Sequence, residues 1–322
     1  MFVLDGTIEI GDYVFNAIHD LEITKSVDEL GDTCIIKLPT RFKVRQNNQD
    51  KYTEEVLKIG DPVKVTLAYD GKYSGVEFVG FVRKIKPTIP LEIHCEDNIW
   101  LLRRKNITKA WNNGATLKEV LQEVVKDTPV QLADNLQDIK LDKYIIKNAN
   151  GAQVLQALKK DMSLNVFVTD DDKLYVGLQQ LEGVGKEVIY DLNYNLVENN
   201  LEYKTKDERR IKVRYTYIAK DNKRTEVEEG DADGEVRTFH TSVISSEDKL
   251  RELANAEIAR LKYDGFDGDV TSFLIPFATR GMKAVIIDDE HTNRAGNYFI
   301  TKVVTTFGLG GARRTVSIGS KL

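Results

Sequence analysis

Short runs of alternating apolar and polar residues dominate the first hundred positions of the chain. The segments KVTLAY (64–69) and LEIHCED (91–97) have a period of two, and Asp70-Gly71 is a typical turn between strands. A polar, highly charged excursion over 39–60 interrupts this pattern. The pattern predicts an antiparallel β unit over residues 1–104, with the excursion as a functional or mobile connection between strands.

The periodicity becomes helical after residue 104. Thr116 and Glu119 have the spacing of a capping box, and apolar residues follow at helical spacing over 117–125. Asn150 and Gln153 precede a second helical stripe, and the segment NVFVTDDDKLYVG (165–177) has two alternating runs around an acidic turn. Residues 105–203 are therefore predicted to form a small α+β domain in which a helix packs beside a hairpin.

Strand-like alternation returns in RRIKVRYTYIA (209–219). One long helix, over about 246–262, interrupts it: Ser245 is its predicted N-cap, Asp248 follows three residues later, and apolar residues then recur at helical spacing. We therefore predict a second β domain over 204–322 that contains this helix. The predicted fold class is mainly β, with two related barrel or sandwich domains flanking the α+β domain.

The relation between the two β domains is suggested by a repeated pattern. The segments over 60–82 and 281–303 align without gaps, with Phe78 opposite Phe299 and Val82 opposite Val303. Each copy has two glycines fifteen residues apart, which we predict to be turn positions: Gly60, Gly75, Gly281 and Gly296. Two unrelated β-meanders could also look alike. A true duplication would let three chains present six similar β units around one axis, and such a trimer could dock on a six-fold partner.

Composition and charge narrow the class of protein. Hydrophobic residues make up 41% and charged residues 30% of the 322 residues, a balance typical of globular proteins. The first residues alternate instead of forming a basic region and an apolar run, so we expect no secretory signal and folding in a cytoplasm. The two cysteines cannot form a disulfide framework, and we expect buried thiols. The net charge of -5 argues against a protein whose main task is binding nucleic acid.

No motif in the sequence indicates catalysis. The residues His94-Cys95-Glu96-Asp97 alternate between the two faces of a strand, which does not make a metal site by itself. The segments DDEH (288–291), DDD (170–172) and GLGG (308–311) are predicted to be turns. The four histidines are scattered and there is no GxSxG motif. We predict no catalytic, metal-binding or cofactor-binding residues and no cofactor.

Two groups of basic residues could serve as interface residues instead. Arg41, Lys43 and Arg45 lie in the polar excursion, and Arg313 and Arg314 lie beside the last strand. The first group could equally be a solvated strand end. We predict that both groups pair with acidic surface on a neighbouring subunit or another protein.

The sequence resembles a known family in GDPVKVTLAYDGKYSGVEFVGFVRKIKP, PLEIHCEDNIWLLRR and AGNYFITKVVTTFGLGGARRTVSIGSKL. These runs are similar to the hub proteins of contractile bacteriophage tails, the late control protein D family, and to the hub portion of type VI secretion spike proteins. The segment GAQVLQALKKDMSLNVFVTDDDKLYVG is similar to the helix and hairpin between their two barrels. The resemblance covers the whole chain in element order.

The resemblance implies a homotrimeric ring with pseudo-six-fold symmetry that joins a hexameric tail tube to a trimeric spike. Its partners would be itself, the tube, the spike and other baseplate proteins, with DNA passing through the lumen unbound. The implied location is the virion tail, assembled in the bacterial cytoplasm. The long repeats of a β-helical needle are not seen up to Leu322, so the spike is expected to be a separate chain. A secretion-system hub would share the fold.

An alternative class remains open on the sequence: a secreted β protein that binds or hydrolyses carbohydrate. The strand-rich pattern and the many Tyr and Asp residues favour it. The expected lack of a signal and the aromatic content of 8% speak against it, because Trp100 and Trp111 lie in or beside structural segments.

Overall fold

A computed structural model describes residues 3–43, 50–69, 71–134, 136, 138–162, 164–177, 187–218, 223–241 and 243–322. The helices in these ranges are α1 (Thr53–Val56), α2 (Ile99–Arg103), α3 (Leu117–Val125), α4 (Gly151–Met162) and α5 (Glu247–Leu261), with a 3-10 turn at Lys206–Glu208.

The strands are numbered in chain order. Those of the first part are β1 (Leu4–Ile10), β2 (Tyr13–Phe15), β3 (Asp20–Ser26), β4 (Thr33–Leu38), β5 (Arg41–Lys43), β6 (Asp50–Tyr52), β7 (Pro62–Tyr69), β8 (Tyr73–Lys86), β9 (Leu91–Glu96), β10 (Asn106–Trp111), β11 (Ala115–Thr116), β12 (Gln131–Leu132), β13 (Lys140–Leu141), β14 (Tyr144–Asn150), β15 (Asn165–Val168) and β16 (Lys173–Gly177). Those of the second part are β17 (Glu187–Asp191), β18 (Glu198–Asn199), β19 (Glu202–Lys204), β20 (Ile211–Ile218), β21 (Arg224–Gly230), β22 (Glu235–Thr241), β23 (Gly265–Asp267), β24 (Asp269–Ser272), β25 (Lys283–Ile287), β26 (Gly296–Gly308) and β27 (Gly311–Lys321).

The predicted fold class is confirmed: the chain is mainly β with a small helical part. Within the described ranges, fifteen strands form one large sheet whose central path is β18-β24-β27-β26-β3-β4-β9-β8-β7-β1-β2. The two halves of this sheet join where β26 pairs antiparallel with β3, from Lys302 opposite Ser26 to Gly308 opposite Asp20. The two β units are therefore neighbours in one continuous sheet.

Local sequence signals account for the two helices of the middle part. Thr116 and Glu119 form a full capping box at the start of α3, with each side chain bonded to the backbone N–H of the other residue. Asn150 and Gln153 make the same reciprocal bonds at the start of α4, each at 2.9 Å. The predicted hairpin follows as β15 and β16, which pair antiparallel.

The duplication predicted from the sequence is present in the backbone hydrogen bonds. The N–H of Gly60 donates to the carbonyl of Val82 at 2.8 Å, and the N–H of Gly281 donates to that of Ile300 at 2.9 Å. In both copies the long strand then has a β-bulge directly after this position, between Val82 and Lys84 and again between Ile300 and Lys302. The strand order β7-β8-β9-β4-β3 of the first unit recurs as β25-β26-β27-β24-β18.

The gap-free alignment of the two copies is wrong in its second half. The structural equivalent of Val82 is Ile300, not Val303, because these two residues make the same pair of bonds with the preceding Gly-containing turn. The second copy is three residues shorter between these positions. Gly60 and Gly281 lie in turns with φ of 94° and 79°.

The other two glycines of the repeat differ from their prediction. Gly75 lies inside β8, opposite Leu67, and Gly296 is the first residue of β26. Both are therefore strand residues, and the turn assignment made for them from spacing alone must be corrected. Their equal distances from Gly60 and Gly281 do not reflect equivalent places in the two copies.

The hydrophobic cores divide the chain differently from the predicted boundaries. The core under β20–β22 and α5, including Val213, Leu250 and Leu253, is continuous with the core of α3 and α4. The long helix therefore packs with the middle part and not with the second β unit, which corrects its assignment to that unit. Conversely, Val188 and Tyr190 of β17 belong to the core of the second β unit.

The start of this helix also differs from the prediction. Ser246, not Ser245, occupies the N-cap, and the hydroxyl of Ser245 donates to Asp142 Oδ2 at 2.5 Å. None of the helices formed by the described residues is both long and apolar enough to cross a membrane.

Candidate functional site

The region where the two β units meet contains several deeply buried charges. The carboxylate of Glu77 on β8 accepts two hydrogen bonds from the guanidinium of Arg314 on β27, at 2.8 and 3.1 Å. Both side chains are 1% exposed. Such a two-pronged pair satisfies both charges, so it can persist in the interior.

Arg314 has further acceptors around it. It donates to the carbonyl oxygens of Ala278 at 3.1 Å and Leu274 at 3.3 Å, and to Thr305 Oγ1 at 3.2 Å. Burial opposes the charged form, but Glu77 more than offsets this and raises the pKa of Arg314 above its ordinary value. Arg314 is therefore a cation that holds the segment between β24 and β25 against both units.

A β-bulge explains how Glu77 comes to face the interior. In the pairing of β7 with β8, Val65 lies opposite Phe78, but the next residue, Thr66, lies opposite Val76. Glu77 is therefore the extra residue of the bulge. Glu77 and Phe78 are consequently both buried, although neighbours in a regular strand point to opposite faces. Sequence alternation could not indicate this carboxylate, because the bulge breaks the period of two.

A second buried arginine joins all three parts of the chain. Arg280 forms ion pairs with Asp32, in the connection between β3 and β4, at 2.9 Å and with Asp170, in the β15–β16 turn, at 3.0 Å. It also donates to the carbonyl of Val168. Lys25 on β3 pairs with the same Asp170 at 2.9 Å. The first β unit, the middle hairpin and the second β unit are thus tied through one guanidinium.

The carboxyl groups of this cluster have shifted pKa values. Burial raises the pKa of Asp97 to about 8 and the pKa of Asp32 to about 6. Repulsion from Asp32 raises the pKa of Asp97 further, whereas the positive charge of Arg280 lowers both pKa values. Burial would also raise the pKa of Asp170, but Lys25 and Arg280 lower it to about 2. Asp97 additionally accepts backbone N–H bonds from Asp32 and Ile99, at 2.8 and 2.9 Å.

A cavity of about 590 Å³ opens beside this cluster. It is lined by β8 around Glu77, the β15–β16 turn and the segment 277–282. The charged groups Arg280, Asp170 and Lys25 in its wall pair with one another. In the described part of the chain no three His, Cys, Asp or Glu side chains come together as metal ligands. The arrangement suits a rigid junction, and we see in it no nucleophile aligned with a base.

The basic residues predicted from the sequence fall in different environments. Arg41 on β5 is exposed and stacks on the ring of Tyr52, 4.5 Å from its centroid. The side chain of Lys43 and the whole of Arg45 lie outside the described residues. Arg313 is half-buried and lies over the ring of Phe273 at 4.8 Å. Arg314 is interior, so its charge is used inside the chain and it is removed from the predicted interface set.

The other polar clusters serve local structure. His94 contacts Glu92, Cys95 is a buried thiol opposite Cys34, and Glu96 accepts bonds from Arg103. In the segment DDEH, Asp288 Oδ1 accepts the backbone N–H of Glu290 and His291, as expected of a turn.

Two exposed apolar residues mark equivalent places in the two copies. Ile89, in the turn between β8 and β9, is 91% exposed, and Leu309, in the turn between β26 and β27, is 95% exposed. The strand registers place both turns at the same end of the sheet. Gly308, at the end of β26, lies opposite Asp20 on β3, and Asp20 lies opposite Lys37 on β4. Lys37 in turn lies beside the start of β9, which follows the other turn. Four strand spacings separate them, about 19 Å along the sheet. We call these two turns the paired tips.

Solved structures with the same fold are tail proteins. The 43 kDa tail protein of prophage MuSo2 from Shewanella oneidensis superposes with a TM-score of 0.69 at 14% identity, over 99% of this chain and 98% of that one. A tail protein from Neisseria meningitidis gives 0.67 at 13% identity, over 98% and 96%. The chain has a phage tail protein fold.

A third structure extends the likeness to secretion machinery. It is an Escherichia coli component of the type VI secretion system, described as similar to the T4 bacteriophage tail proteins gp27 and gp5, with a TM-score of 0.60 at 10% identity, over 98% of this chain and 77% of that one. No family model and no curated protein matches the sequence. The resemblance to hub proteins read from the sequence is confirmed at the level of the fold.

Proposed function

We propose that the chain is the structural hub of a contractile tail baseplate or of a related injection machine. Three copies form a ring with pseudo-six-fold symmetry that joins a hexameric tube to a trimeric spike. The observation that carries this proposal is the internal repeat, which places two β units in the same strand order within one continuous sheet. A ring of three such chains has six similar units, and this is the arrangement a six-fold partner requires.

The buried junction supports a mechanical role. Two interior ion-pair groups, one around Arg314 and one around Arg280, fix the β units to each other and to the middle hairpin. Buried, paired charges favour one geometry over alternatives, because shifting either unit would separate the partners in the interior. A hub that transmits force between tube and spike needs this fixed geometry. We assign the chain no enzymatic activity.

The paired tips are our candidate for the contact with the tube. In a six-fold arrangement, adjacent positions are separated by a distance equal to their distance from the axis, so tips about 19 Å apart would lie at most about 19 Å from that axis. Each tip offers one exposed apolar side chain. A single exposed apolar residue is common on protein surfaces, so the support comes from the equivalent places that the two residues occupy in the repeat. Six equivalent tips would address six tube subunits in the same way.

The lumen of such a ring would let DNA or another cargo pass without specific binding. The net charge of -5 favours this, because tight duplex binding needs neutralisation of phosphates by a basic surface. We place the assembled protein in the virion tail, with the spike and other baseplate proteins as partners. Retention of duplex DNA by the purified chain at physiological salt would contradict the passive lumen.

The first test is the absolute mass of the full chain in solution by light scattering on a size-exclusion column. We expect three times the chain mass of 36.5 kDa, and images that show six β units around one axis. If the chain stays monomeric even with the candidate spike protein added, the ring and the symmetry-matching role are both wrong.

A further inference from the structure

The second half of β8 has a free edge. Up to Val82 its outer side is covered by β7 and by the turn at Gly60, but from Lys84 to Lys86 the described chain supplies a neighbour only on the other side, β9. The backbone groups of such a stretch that point away from β9 are a template for another strand, apart from the carbonyl of Lys86, which accepts the N–H of Thr88 at 2.8 Å.

The internal repeat shows what such an edge accepts. The equivalent stretch of β26, from Lys302 to Val304, lies between β27 on one side and β3 on the other. The strand β3 thus occupies, beside β26, the place for which the described residues supply no strand beside β8. The burial of the inward side chains differs accordingly. Val303, which β3 covers, is 1% exposed, whereas its equivalent Ile85 is only half-buried.

The counterpart of β3 in the second copy is also unpaired on its outer side. In the first copy β3 pairs with β4, and Asp20 lies opposite Lys37. In the second copy β18 pairs with β24, and Glu198 lies opposite Thr271 at the equivalent place. The same register continues from β18 into β19. Among the described strands, β19 pairs only with β23. One chain therefore ends in two complementary free edges, one on β8 and one on β19.

We propose that β8 of one protomer pairs antiparallel with β19 of a second copy, and that this strand pairing closes the ring. The register copies that of β26 with β3, so Lys84 lies opposite Lys204, Ile85 opposite Tyr203 and Lys86 opposite Glu202. Pro87 has no backbone N–H and ends the ladder there.

Two of the three residue pairs that meet in this register favour the pairing, whereas Lys84 and Lys204 place like charges opposite each other. Ile85 and Tyr203 are both half-buried and would cover each other, while Lys86 and Glu202 carry opposite charges. The contact is head-to-tail, so each chain uses one β8 edge and one β19 edge, and neither of these two edges remains free when the ring closes. The inference rests on the proposed ring, but it adds which strands make the ring and in which register.

Disulfide capture tests the register in the full chain. In K86C/E202C the two positions face each other across the antiparallel pair, within the Cα separation a disulfide accepts. We expect a covalent trimer on a non-reducing gel after mild oxidation, which a reductant returns to monomer. The matched control K86C/E198C moves one cysteine four residues along the strand, about 13 Å, and is expected to stay uncrosslinked, as is the wild-type chain with its buried Cys34 and Cys95.

Two results would separate this inference from the proposed function. A trimer by light scattering in which K86C/E202C does not crosslink would overturn the strand pairing and leave the hub standing, and preferential crosslinking of K86C/E198C would overturn the register. A monomer under all conditions would remove both. Backbone hydrogen exchange gives a second readout without substitutions: those amides of 84–86 and 202–204 that point toward the partner strand should exchange more slowly in the trimer than after dilution to monomer.

Discussion

The buried pair of Glu77 and Arg314 makes the sharpest prediction for single residues. Removing one partner leaves the other charge uncompensated in the interior, which costs about 3–5 kcal/mol. We therefore expect E77Q and R314M each to lower the free energy of unfolding by about that amount, measured by urea denaturation. The neighbouring R313M, which loses a half-buried guanidinium over the ring of Phe273, is the matched control and should change it by about 1 kcal/mol or less. Equal stability of R314M and R313M would contradict the assigned role.

The acidic cluster around Asp97 predicts a pH dependence. The folded state holds protons on Asp97 and Asp32 more tightly than the unfolded state, since burial raises their pKa values to about 8 and about 6. This stability is fully present below the ordinary aspartate range and is lost as the pH rises through those values. We expect the wild-type chain to lose stability between pH 5 and pH 9.

The variant D97N isolates this effect. It cannot ionise at that position, so its stability should change less between pH 5 and pH 9 than that of the wild type. D171N, at an exposed aspartate in the wall of the same cavity, should keep the wild-type slope. A D97N slope identical to that of the wild type would show that Asp97 does not bind the proton.

At the level of single side chains the sequence was least informative. Arg314 and Glu77 look like ordinary strand residues, and only the bulge and the fold bring them together across more than two hundred positions. Asp32 and Arg280 are likewise distant in sequence. Capping residues such as Thr116 and Asn150 were predictable, because their partners are three residues away.

At the level of elements, the turn glycines of the repeat carry a direct test. Gly281 has φ of 79° and nothing within 4 Å of the place a Cβ would occupy, so a substitution there meets conformational strain alone. We expect G281A to cost about 1–2 kcal/mol and G281N less, because asparagine tolerates the left-handed region better. G310A, at a glycine with equally open space and no positive φ, should have little effect. Thermal or urea unfolding of the three variants would decide this.

Elements and their order were predictable, whereas register and packing partners were not. Alternation identified the strands 64–69 and 91–96, and helical spacing identified α3, α4 and α5. The equivalence of Val82 with Ile300 depends on hydrogen bonds between strands, which spacing does not encode. The core that α5 joins also depends on long-range contacts, so its amphipathic pattern predicted a helix but not its neighbours.

For the whole molecule, the repeat explains several exposed features that a single isolated chain does not need. The free edges of β8, with its half-buried Ile85, and of β19 lie where the repeat of one chain would continue into the next chain of the ring. The paired tips lie where the ring would contact a six-fold partner. A monomer with such edges would be prone to unwanted strand pairing. Ring closure would remove the edges and leave the tips at one end of the assembly.

The paired tips then make the last prediction, which concerns the tube contact. We expect I89S and L309S each to weaken binding of the trimer to its tube protein by about tenfold or more, since burying one such side chain is worth about 1.5–3 kcal/mol. Both variants should keep the trimer mass and the unfolding free energy, because the side chains are exposed. The control V14S replaces an apolar residue, 63% exposed, on β2 away from this end of the sheet. If L309S and V14S bind the tube equally in a co-sedimentation assay, the tube contacts another surface of the hub.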